Sequence, residues 1–540
     1  MTSDALGEMD RALHARFGFD TYRDGQRDVI AALLAHDAAL AVFPTGGGKS
    51  LCYQLPAVIW PGLTVVVSPL IALMKDQIDA LTARGIAAAR LDSSLDKNDG
   101  DDVVARIKSG ALELLYVAPE RFKNERFREL LSRTPIELLA VDEAHSISEW
   151  GHNFRPDYLK LARAAEELKV KRVLALTATA TPDVVKSICE RFHIPNDAVV
   201  VTGFYRKNLE LCVAPLERTN KDAALIARLA GERAHEGPGI VYVTQQKTAE
   251  RVAAVLAGAG VNARAYHAGL DADVRARTQE AFMSSRDMIV VATIAFGMGI
   301  DKADVRTVIH YDLPKSLEGY SQEIGRAGRD GLSSVVELFA CADDAGVLAG
   351  FACGDTPTRD ALFALTTSVL SKGDAFDLDL GALGDEHDLR PLVLRTALTH
   401  LELLGVVHEG TPRYASYLVQ PQRDGAPDLD GGVDAIVRKL PADRAAFMRG
   451  VFGAAKKGRT WYTLALDDVA RVLHEDRMRI VRALDWLAEH KLAIVTVKDV
   501  RHRFTVTSRA TSADALADAL YARFVEHEAR EIGRIREVLA

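Results

Sequence analysis

Short apolar runs alternate with longer amphipathic stretches through roughly the first 340 residues of the chain. After Thr202 and Gly203 the alternation starts a second time. Continuous apolar runs separated by helical stretches are typical of parallel sheets with crossover helices. The pattern therefore predicts two α/β domains in series, at 1–203 and 204–344. The predicted strands lie at 38–43, 63–67, 112–117, 138–141 and 172–176 in the first domain, and at 239–243, 262–266, 287–292, 305–310 and 335–340 in the second.

The C-terminal third has a different pattern, in which helical segments are followed by strand-like runs. Within 389–420, the stretch LRTALTHLELLGVV places Leu394, Leu398, Leu401 and Leu404 on one apolar helical face. Within 464–506, two apolar runs at 492–495 and 501–506 predict a hairpin. Both segments are typical of α+β winged-helix units. We expect a helical subdomain with a winged-helix-like unit at 345–423, a linker at 424–432, and a basic winged-helix-like domain with a helical tail at 433–540.

Length and composition indicate a large cytosolic protein without a membrane anchor. The chain has 540 residues, of which 48% are hydrophobic, enough core for about three or four domains. No apolar run reaches the roughly eighteen residues that span a bilayer, and residues 1–10 do not resemble a signal peptide. The five cysteines form no CxxC pair, so neither a disulfide framework nor a four-thiolate zinc site is indicated.

The charge is unevenly distributed along the chain. The formal net charge is -8, but residues 431–540 contain 20 Lys and Arg against 15 Asp and Glu. A basic excess confined to one end is compatible with a nucleic-acid partner, which the overall charge would argue against.

A glycine-rich loop, PTGGGKS at 44–50, follows the first predicted strand. Its glycines let the backbone amides face an anion, while Lys49 can neutralise the β and γ phosphates of a nucleotide and Ser50 can ligate magnesium. The first glycine of the strict phosphate-loop pattern is replaced by Phe43. The alternative is a glycine turn between a strand and a helix. The candidate nucleotide-binding residues are Thr45, Gly46, Gly47, Gly48, Lys49 and Ser50.

An acidic pair, Asp142 and Glu143, follows the predicted strand at 138–141 within DEAHSISEWGHNFRPDY. Asp142 is placed to hold magnesium through water, and Glu143 to polarise the water that attacks the γ phosphate. Alone, such a pair is often a solvated strand end. Together with Lys49 and Ser50 it predicts an ATPase.

The motifs resemble those of the RecQ family of superfamily 2 helicases. The matching segments, in order, are FGFDTYRDGQ, SPLIALMKDQ, TATAT, FYRKNL, YHAGL, ATIAFGMGIDKADVRTVIHYDLP and QEIGRAGRDG. The resemblance covers roughly residues 10–345 and implies two tandem RecA-like motor domains. It also implies that Phe19 stacks on adenine and that Arg23 and Gln26 contact adenine or phosphate. Without that resemblance, the same segment reads as a helix cap with a core aromatic.

The second domain has no phosphate loop, so any residues that it contributes to ATP hydrolysis must reach the nucleotide across a cleft between the two domains. Arg326 and Arg329 lie three residues apart and can present positive charge to the γ phosphate. The resemblance implies that Arg329 is an arginine finger and that Arg326 contacts phosphate or Glu143 in the closed state, and we expect Gln322 to help orient the attacking water or the arginines. Surface ion pairs are the alternative for these arginines.

The loop after the acidic pair contains Trp150, His152, Phe154 and Arg155. In this family it resembles an aromatic-rich loop that senses single-stranded DNA and relays binding to the ATP site. Aromatic faces stack on bases without reading sequence, and arginine can hold phosphate. Core anchoring is the alternative for the aromatic residues. His145 can relay between the acidic pair and Thr177 or Gln322, and a hydrogen-bonded structural histidine is the alternative.

Further residues are candidates for DNA contacts. Serines and threonines at loop ends can hold phosphates without regard to base, and we expect this of Ser68, Thr244 and Thr293. The basic side chains of the second winged-helix-like segment can engage duplex phosphates, with His502 or Phe504 near a strand-separating tip. A solvated basic face is the alternative. The candidates in that segment are Lys456, Lys457, Arg477, Arg501 and Arg503.

One departure from the family concerns zinc. Relatives usually follow the motor with a four-cysteine zinc subdomain, but no cysteine follows Cys353. We expect ATP and Mg²⁺ as cofactors and no zinc.

The resemblance implies a 3′ to 5′ DNA helicase for recombination or repair. It would act on single-stranded and duplex DNA, with single-stranded-DNA-binding or recombination proteins as possible partners and a nucleoid location if bacterial. The alternatives are an RNA-dependent ATPase and an ATP-switched DNA-junction clamp with little unwinding.

Overall fold

The computed structural model describes residues 2–69, 71–92, 95, 97–147, 156–203, 206–230, 237–297, 300, 302–410, 412–423, 426–429 and 431–540. They form two units. The first contains Met1–Phe122, Arg126–Thr356 and Ala522–Ala540, and the second contains Lys123–Glu125 and Pro357–Tyr521. Two parallel sheets belong to the first unit and an antiparallel sheet to the second.

The first sheet is parallel, with strand order β3-β4-β2-β5-β6-β1-β7. Its strands are β1 Ala38–Val42, β2 Leu63–Val67, β3 Ala88–Leu91, β4 Leu114–Val117, β5 Ile136–Val141, β6 Arg172–Thr177 and β7 Val199–Val201. The helices of this domain are α1 Thr2–Ala12, α2 Gln26–His36, α3 Leu51–Ala57, α4 Ile71–Thr82, α5 Lys97–Lys108, α6 Glu125–Ser132, α7 Leu161–Glu167 and α8 Pro182–Phe192.

Both faces of this sheet are buried, which explains why its strands read as continuous apolar runs. In β1, Leu40 and Val42 join the core on one face, while Ala39 and Ala41 join the core on the other. Because all these strands are parallel, the residues that follow β1, β2, β5 and β6 meet at one edge of the sheet. That edge carries the phosphate loop, Ser68 and the acidic pair.

The second sheet is also parallel, with strand order β10-β11-β9-β12-β13-β8. Its strands are β8 Leu209–Pro215, β9 Gly239–Tyr242, β10 Ala263–Tyr266, β11 Ile289–Ala292, β12 Thr307–His310 and β13 Ser334–Ala340. The helices are α9 Lys221–Leu229, α10 Gln246–Gly258, α11 Ala272–Ser284, α12 Leu317–Ile324 and α13 Asp344–Gly354. The prediction of two tandem parallel-sheet domains is confirmed.

In the described part of the two parallel sheets, three strands were not predicted, and each has a weak sequence signal. β3 is AARL, which lacks β-branched residues, and β7 has only three residues. β8 lies at an edge of the second sheet, where Leu211 and Val213 are exposed beside polar neighbours. Short or half-exposed edge strands do not produce the apolar run of a central parallel strand.

A buried ion cluster lies at the end of β12. The side chain of Lys221 is 1% exposed, and its Nζ lies 2.7 Å from Oδ2 of Asp344 and 3.2 Å from Oδ1 of Asp312. The other oxygen of Asp312 accepts the backbone N–H of Thr244 at 2.9 Å, and Oδ2 of Asp344 accepts that of Leu313 at 3.1 Å. The cluster thus joins the starts of α9 and α13 to the loops that follow β9 and β12.

The second unit contains an antiparallel sheet built around one long strand. Its strands are β14 Ala375–Leu378, β15 Val407–Glu409, β16 Arg413–Arg423, β17 Ala426–Pro427, β18 Lys456–Lys457, β19 Tyr462–Ala465 and β20 Ala493–Val506. The helices of the C-terminal third are α14 Arg359–Ser371, α15 Leu380–His387, α16 Pro391–Leu403, α17 Gly431–Arg438, α18 Ala442–Gly453, α19 Leu466–Leu473, α20 Arg477–Glu489 and α21 Ala513–Leu539. The winged-helix description and the domain boundaries within this region stay predictions.

The predicted hairpin at 492–506 is wrong, because β20 is a single strand of 14 residues. Its first part pairs with β16, and its last part pairs with β14 and β15. The polar residues around Asp499 resemble a turn in composition, but the backbone on either side of Asp499 continues the ladder with β16. One sheet therefore includes strands from both segments that the sequence pattern treated as separate units.

His502 and Phe504 do not form an exposed tip, so that prediction is also wrong. His502 is 9% exposed and Phe504 is 2% exposed. Phe504 stacks on Phe376 at 6.0 Å between ring centroids, and Nδ1 of His502 lies 3.1 Å from Oε1 of Glu409. Their inward direction follows from the two-residue period of β20, which turns alternate residues into the core.

Helix α21 contributes to both units, since its residues from Ala522 onward belong to the first. There Ile535 joins a small core with Leu313, Leu338 and Leu348. None of the helices in the described part of the chain combines the length and the apolar character needed to cross a bilayer.

Candidate nucleotide-binding cleft

A cleft of about 720 Å³ lies within the first unit and is lined by residues of both parallel-sheet domains. The first domain supplies the phosphate loop and the acidic pair, and the second supplies a turn after α12. The lining includes Arg23, Thr45, Gly46, Gly47, Gly48, Lys49, Ser50, Ser68, Asp142 and Glu143 from the first domain, and Gln322, Arg326 and Arg329 from the second.

The phosphate loop adopts a curled backbone between β1 and α3. Gly46 and Gly48 have φ of 82° and 77°, a region that favours glycine. Nζ of Lys49 donates to the carbonyl oxygen of Phe43 at 3.1 Å and lies 3.5 Å from that of Pro44. Burial lowers the pKa of Lys49, and the carboxylates of Glu143 and Asp142 oppose this effect. An anion in the loop would stabilise the charged ammonium.

Arg23, just before α2, and Gln26, its first residue, both hydrogen-bond to the same loop. Nη1 of Arg23 donates to the carbonyl of Gly46 at 2.7 Å, and Nε2 of Gln26 donates to that of Gly48 at 2.8 Å. The side-chain oxygen of Gln26 accepts the backbone N–H of Arg23 at 2.8 Å. Phe19 is 45% exposed and is not among the residues that line the cleft. The predicted adenine contacts of these three residues stay predictions.

The acidic pair follows β5 at the carboxyl edge of the first sheet. Oδ1 of Asp142 accepts the backbone N–H of Glu143 at 3.0 Å, and Glu143 has a φ of 51°. Burial, with a contribution from the charge of Glu143, raises the pKa of Asp142 to about 7, although Lys49 opposes the shift. A buried carboxyl that holds a proton near neutral pH is suited to a site where a cation replaces that proton.

Glu143 has a buried oxygen, Oε2, that has no hydrogen bond among the described residues. It lies 3.4 Å from Nδ1 of His145, and the same nitrogen lies 3.0 Å from Oγ1 of Thr177 at the end of β6. The contact between His145 and Thr177 that the sequence suggested is therefore present. An unsatisfied buried carboxylate oxygen facing a cleft is costly unless a ligand or water uses it.

Ser68 was predicted to hold a DNA phosphate, and this role stays a prediction. It follows β2 at the same edge as the acidic pair, is buried, and lines the cleft. A hydroxyl at this position can act on a bound nucleotide or on Asp142 as well as on a DNA phosphate. Thr244 and Thr293 follow β9 and β11 in the second domain, and their role in DNA binding stays a prediction.

The second domain contributes the turn that follows α12. Nη1 of Arg326 donates to the carbonyl of Gly297, so Arg326 is tied to its own domain. A Cβ on Gly325 would lie 2.9 Å from Cβ of Thr45, which shows how closely this turn approaches the phosphate loop. Gln322, Arg326 and Arg329 all reach the cleft, as their spacing predicted, whereas their separate roles stay predictions.

Sequence reasoning did not single out Arg206 and Asn208, which also line the cleft. Both belong to the FYRKNL motif, so the motif match marked the segment without assigning its residues. Tyr53, Gln77 and Tyr116 were likewise not considered as lining residues.

The candidate DNA-contacting residues of the C-terminal third differ in their exposure and in their contacts within the protein. Lys456, Lys457 and Arg503 are exposed. Arg477 donates to the carbonyl of Tyr414 at 2.5 Å and pairs with Asp467, while Arg501 pairs with Asp379 at 3.1 Å. The last two arginines already have structural partners. Trp150, His152, Phe154 and Arg155 lie outside the described residues.

Two family models match the chain. The model described as DEAD/DEAH box helicase matches residues 23–188, and the model described as Helicase conserved C-terminal domain matches residues 220–331. The first range contains the phosphate loop and the acidic pair, and the second contains Gln322, Arg326 and Arg329.

The chain is similar to several curated helicases. It is 44% identical over 330 residues to the ATP-dependent DNA helicase RecQ of Bacillus subtilis (strain 168), covering 61% of this chain and 55% of that protein. It is 39% identical over 341 residues to the probable ATP-dependent DNA helicase RecS of the same organism, covering 63% of this chain and 68% of that protein. The ATP-dependent DNA helicase Q-like 5 of Arabidopsis thaliana is 38% identical over 404 residues, or 73% of this chain and 44% of its own length.

The chain spans about half the length of the RecQ relatives that it matches. Among solved structures, S. cerevisiae Dbp5 bound to RNA and ADP BeF3 superposes with a TM-score of 0.50 at 19% identity, covering 64% of this chain and 91% of that one. This likeness concerns the fold of the two parallel-sheet domains.

Proposed function

Because the chain belongs to the RecQ family of DNA helicases, we propose that it is an ATP-dependent DNA helicase. It couples ATP hydrolysis to 3′ to 5′ translocation on single-stranded DNA and to duplex unwinding in recombination and repair. The observation that carries the proposal is the shared cleft, which combines the phosphate loop and acidic pair of one domain with two arginines of the other.

The residues of the first domain fit a magnesium nucleotide. The loop supplies a curled backbone and an ammonium group, Ser50 supplies an oxygen ligand of the kind that Mg²⁺ prefers, and Asp142 would hold the ion through water. Bound Mg²⁺ would neutralise charge on the β and γ phosphates. Lys49 would exchange its contacts with the carbonyls of Phe43 and Pro44 for phosphate oxygens. Asp142 would give up its proton on binding the cation.

Glu143 is suited to orient the attacking water. Glu143 lines the cleft, and its buried Oε2 has no hydrogen bond among the described residues and lies 3.4 Å from Nδ1 of His145. A carboxylate in this position can accept a hydrogen bond from water and draw electron density toward its oxygen. Thr177, held against His145, ties the acidic pair to the end of β6.

The second domain would supply positive charge to the transition state. Arg329 would contact the γ phosphate, Arg326 would support it from its anchor on Gly297, and Gln322 would orient the water or the arginines. An arginine delivered by a second domain makes hydrolysis depend on domain closure. Repeated closure and opening would move the two domains along a DNA strand in steps.

DNA is the proposed polymer. Thr244 and Thr293 would hold backbone phosphates at the edge of the second sheet, and the loop containing Trp150, His152, Phe154 and Arg155 would couple DNA binding to hydrolysis. Lys456, Lys457 and Arg503 are exposed and would meet duplex phosphates. Single-stranded-DNA-binding or recombination proteins are the proposed partners. The proposed location is the cytoplasm, in the nucleoid if the source is bacterial.

The test is ATP hydrolysis by the purified chain without nucleic acid, with single-stranded DNA and with single-stranded RNA, alongside unwinding of 3′-tailed and 5′-tailed duplexes. We expect strong stimulation by DNA and unwinding of the 3′-tailed substrate. Lys49→Ala, which should abolish turnover, is the control for a contaminating ATPase. Stimulation by RNA alone would contradict the proposal in favour of an RNA-dependent ATPase, and turnover without unwinding would favour a clamp.

A further inference from the structure

We propose that Arg206 and Asn208 are positioning residues that hold the turn at 325–331 so that Arg329 faces the nucleotide. Neither residue has to touch the reacting phosphate for this role. The inference rests on the proposed function, because it assigns these residues a part in the hydrolysis that Arg329 supports.

Four hydrogen bonds connect the two side chains to the turn and to the residue after it. Nη1 of Arg206 donates to the carbonyl of Gly325 at 3.2 Å, and its Nη2 donates to the carbonyl of Gly328. Nδ2 of Asn208 donates to the carbonyls of Gly328 at 2.8 Å and Leu332 at 2.9 Å. The bonded carbonyls lie on either side of both arginines, so the contacts set the path of the backbone that carries Arg326 and Arg329.

The turn needs this support because no helix continues through it. Helix α12 ends at Ile324, and a helix end leaves carbonyls that intrahelical bonds do not satisfy. Gly328 has a φ of 54°, and a Cβ there would lie 2.5 Å from Nδ2 of Asn208. Asn208 is therefore packed directly against a backbone position that requires glycine, and both of its N–H donors are used.

Charge adds a second reason for holding the turn. Burial lowers the pKa of Arg206, the positive charge of Arg329 acts in the same direction, and the carboxylate of Asp330 opposes both. The carbonyls of Gly325 and Gly328 compensate Arg206 for its lost hydration, so two like charges can stay close together. An incoming phosphate would relieve their repulsion.

Arg206 and Asn208 lie between the two parallel-sheet domains in the sequence. β7 ends at Val201 in the first sheet and β8 begins at Leu209 in the second, so Arg206 and Asn208 belong to the segment that joins the two domains. At its start, the N–H of Thr202 bonds to the carbonyl of Val42, next to the phosphate loop. Two residues between the two domains therefore also fix the arginine turn, which couples finger placement to the relative position of the domains.

The first arm of the test is DNA-stimulated ATP turnover by the full chain carrying Asn208→Ala. A small misplacement of a transition-state group costs on the order of a hundredfold in rate. We expect kcat to fall by about 10- to 100-fold while KM for ATP changes by less than about threefold, because the phosphate loop is untouched. Arg228→Gln is the matched control. It breaks the ion pair of Arg228 with Glu337 between α9 and β13 of the same domain but does not reach the cleft, so kcat should not change.

The second arm separates positioning from a general loss of structure. If Asn208 acts through Arg329, then adding Asn208→Ala to Arg329→Ala should lower kcat by less than about twofold further. An unchanged kcat in Asn208→Ala, or a full additional loss in the double variant, would overturn the inference. If circular dichroism shows that Asn208→Ala does not fold, Arg206→Lys takes its place, since an ammonium cannot donate to both Gly325 and Gly328 as the forked guanidinium does. Failure of the proposed function is distinct, because the unsubstituted chain would then show no DNA-stimulated turnover.

Discussion

Replacing Lys221 by methionine should destabilise the second parallel-sheet domain strongly. Methionine keeps the volume and the straight chain of lysine but removes the charge that balances Asp312 and Asp344. Breaking one side of a buried ion pair costs about 3–5 kcal/mol, because the remaining carboxylates stay buried without a partner. Lys221 is 1% exposed, so water cannot replace the lost ammonium. We expect the free energy of opening the region around β9 and β12 to fall by about 3–5 kcal/mol.

The loss should depend on pH. Burial already raises the pKa of Asp344 while Lys221 lowers it, so removing Lys221 raises it further. A carboxyl group whose pKa is higher in the folded chain than in the unfolded chain destabilises the fold when the pH is above its unfolded-state pKa. This destabilisation disappears as the pH falls and the carboxyl group is protonated in both states. The deficit of Lys221→Met relative to the unsubstituted chain should therefore shrink as pH falls from 8 toward 5. Asp344→Asn in the same chain should recover part of the loss at pH 8.

Hydrogen exchange of peptides covering β9 and β12 is the measurement, because it reports the opening of this domain within a larger chain. Lys247→Met, at an exposed position of α10, is the control for the substitution itself. A deficit below about 1 kcal/mol, the value typical of an exposed ion pair, would refute the reasoning. So would a deficit of several kcal/mol that is the same at pH 8 and pH 5.

Three further predictions concern the cleft and the second unit. Arg329→Ala should lower kcat by on the order of a thousandfold with ATP affinity nearly unchanged, and equal losses in rate and in nucleotide binding would remove the finger assignment. Because a proton competes with Mg²⁺ at Asp142 below about pH 7, the Mg²⁺ concentration for half-maximal turnover should rise about tenfold per pH unit below that value, and a flat profile between pH 6 and 8 would contradict this. Phe504→Ala should cost about 3–5 kcal/mol in thermal or urea unfolding, whereas a residue at an exposed tip would cost under 1 kcal/mol.

The sequence was most informative where local pattern and physical environment coincide. Central parallel strands such as β2 and β5 are buried on both faces, so their apolar runs were visible without the structure. The phosphate loop and the acidic pair were predictable for a related reason, since the residues after parallel strands meet at one sheet edge. The sequence pattern cannot tell whether a serine after a strand is exposed or buried. That Ser68 is buried and lines the cleft becomes clear only from the packed structure.

The features that sequence reasoning missed depend on distant contacts. Arg206 and Asn208 donate hydrogen bonds to carbonyls more than a hundred residues away in the sequence. Every residue has a backbone carbonyl, so the sequence does not show which ones accept these bonds. The false hairpin in β20 has a similar origin. The polar stretch around Asp499 is turn-like by itself, and Asp499 has a φ of 56°, but pairing with β16 continues on both sides of it, so the strand does not reverse.

The small core around Ile535 has a consequence for how the protein is made. Ile535 packs with Leu313, Leu338 and Leu348, and a ribosome adding about 5–20 residues per second reaches it roughly 10–40 s after Leu348. During that interval the leucines lack one of their core neighbours. A nascent chain would therefore emerge with a temporary apolar patch on an otherwise folded sheet. Such a patch is a natural target for a chaperone, and the arrival of the last helix would end the need for one.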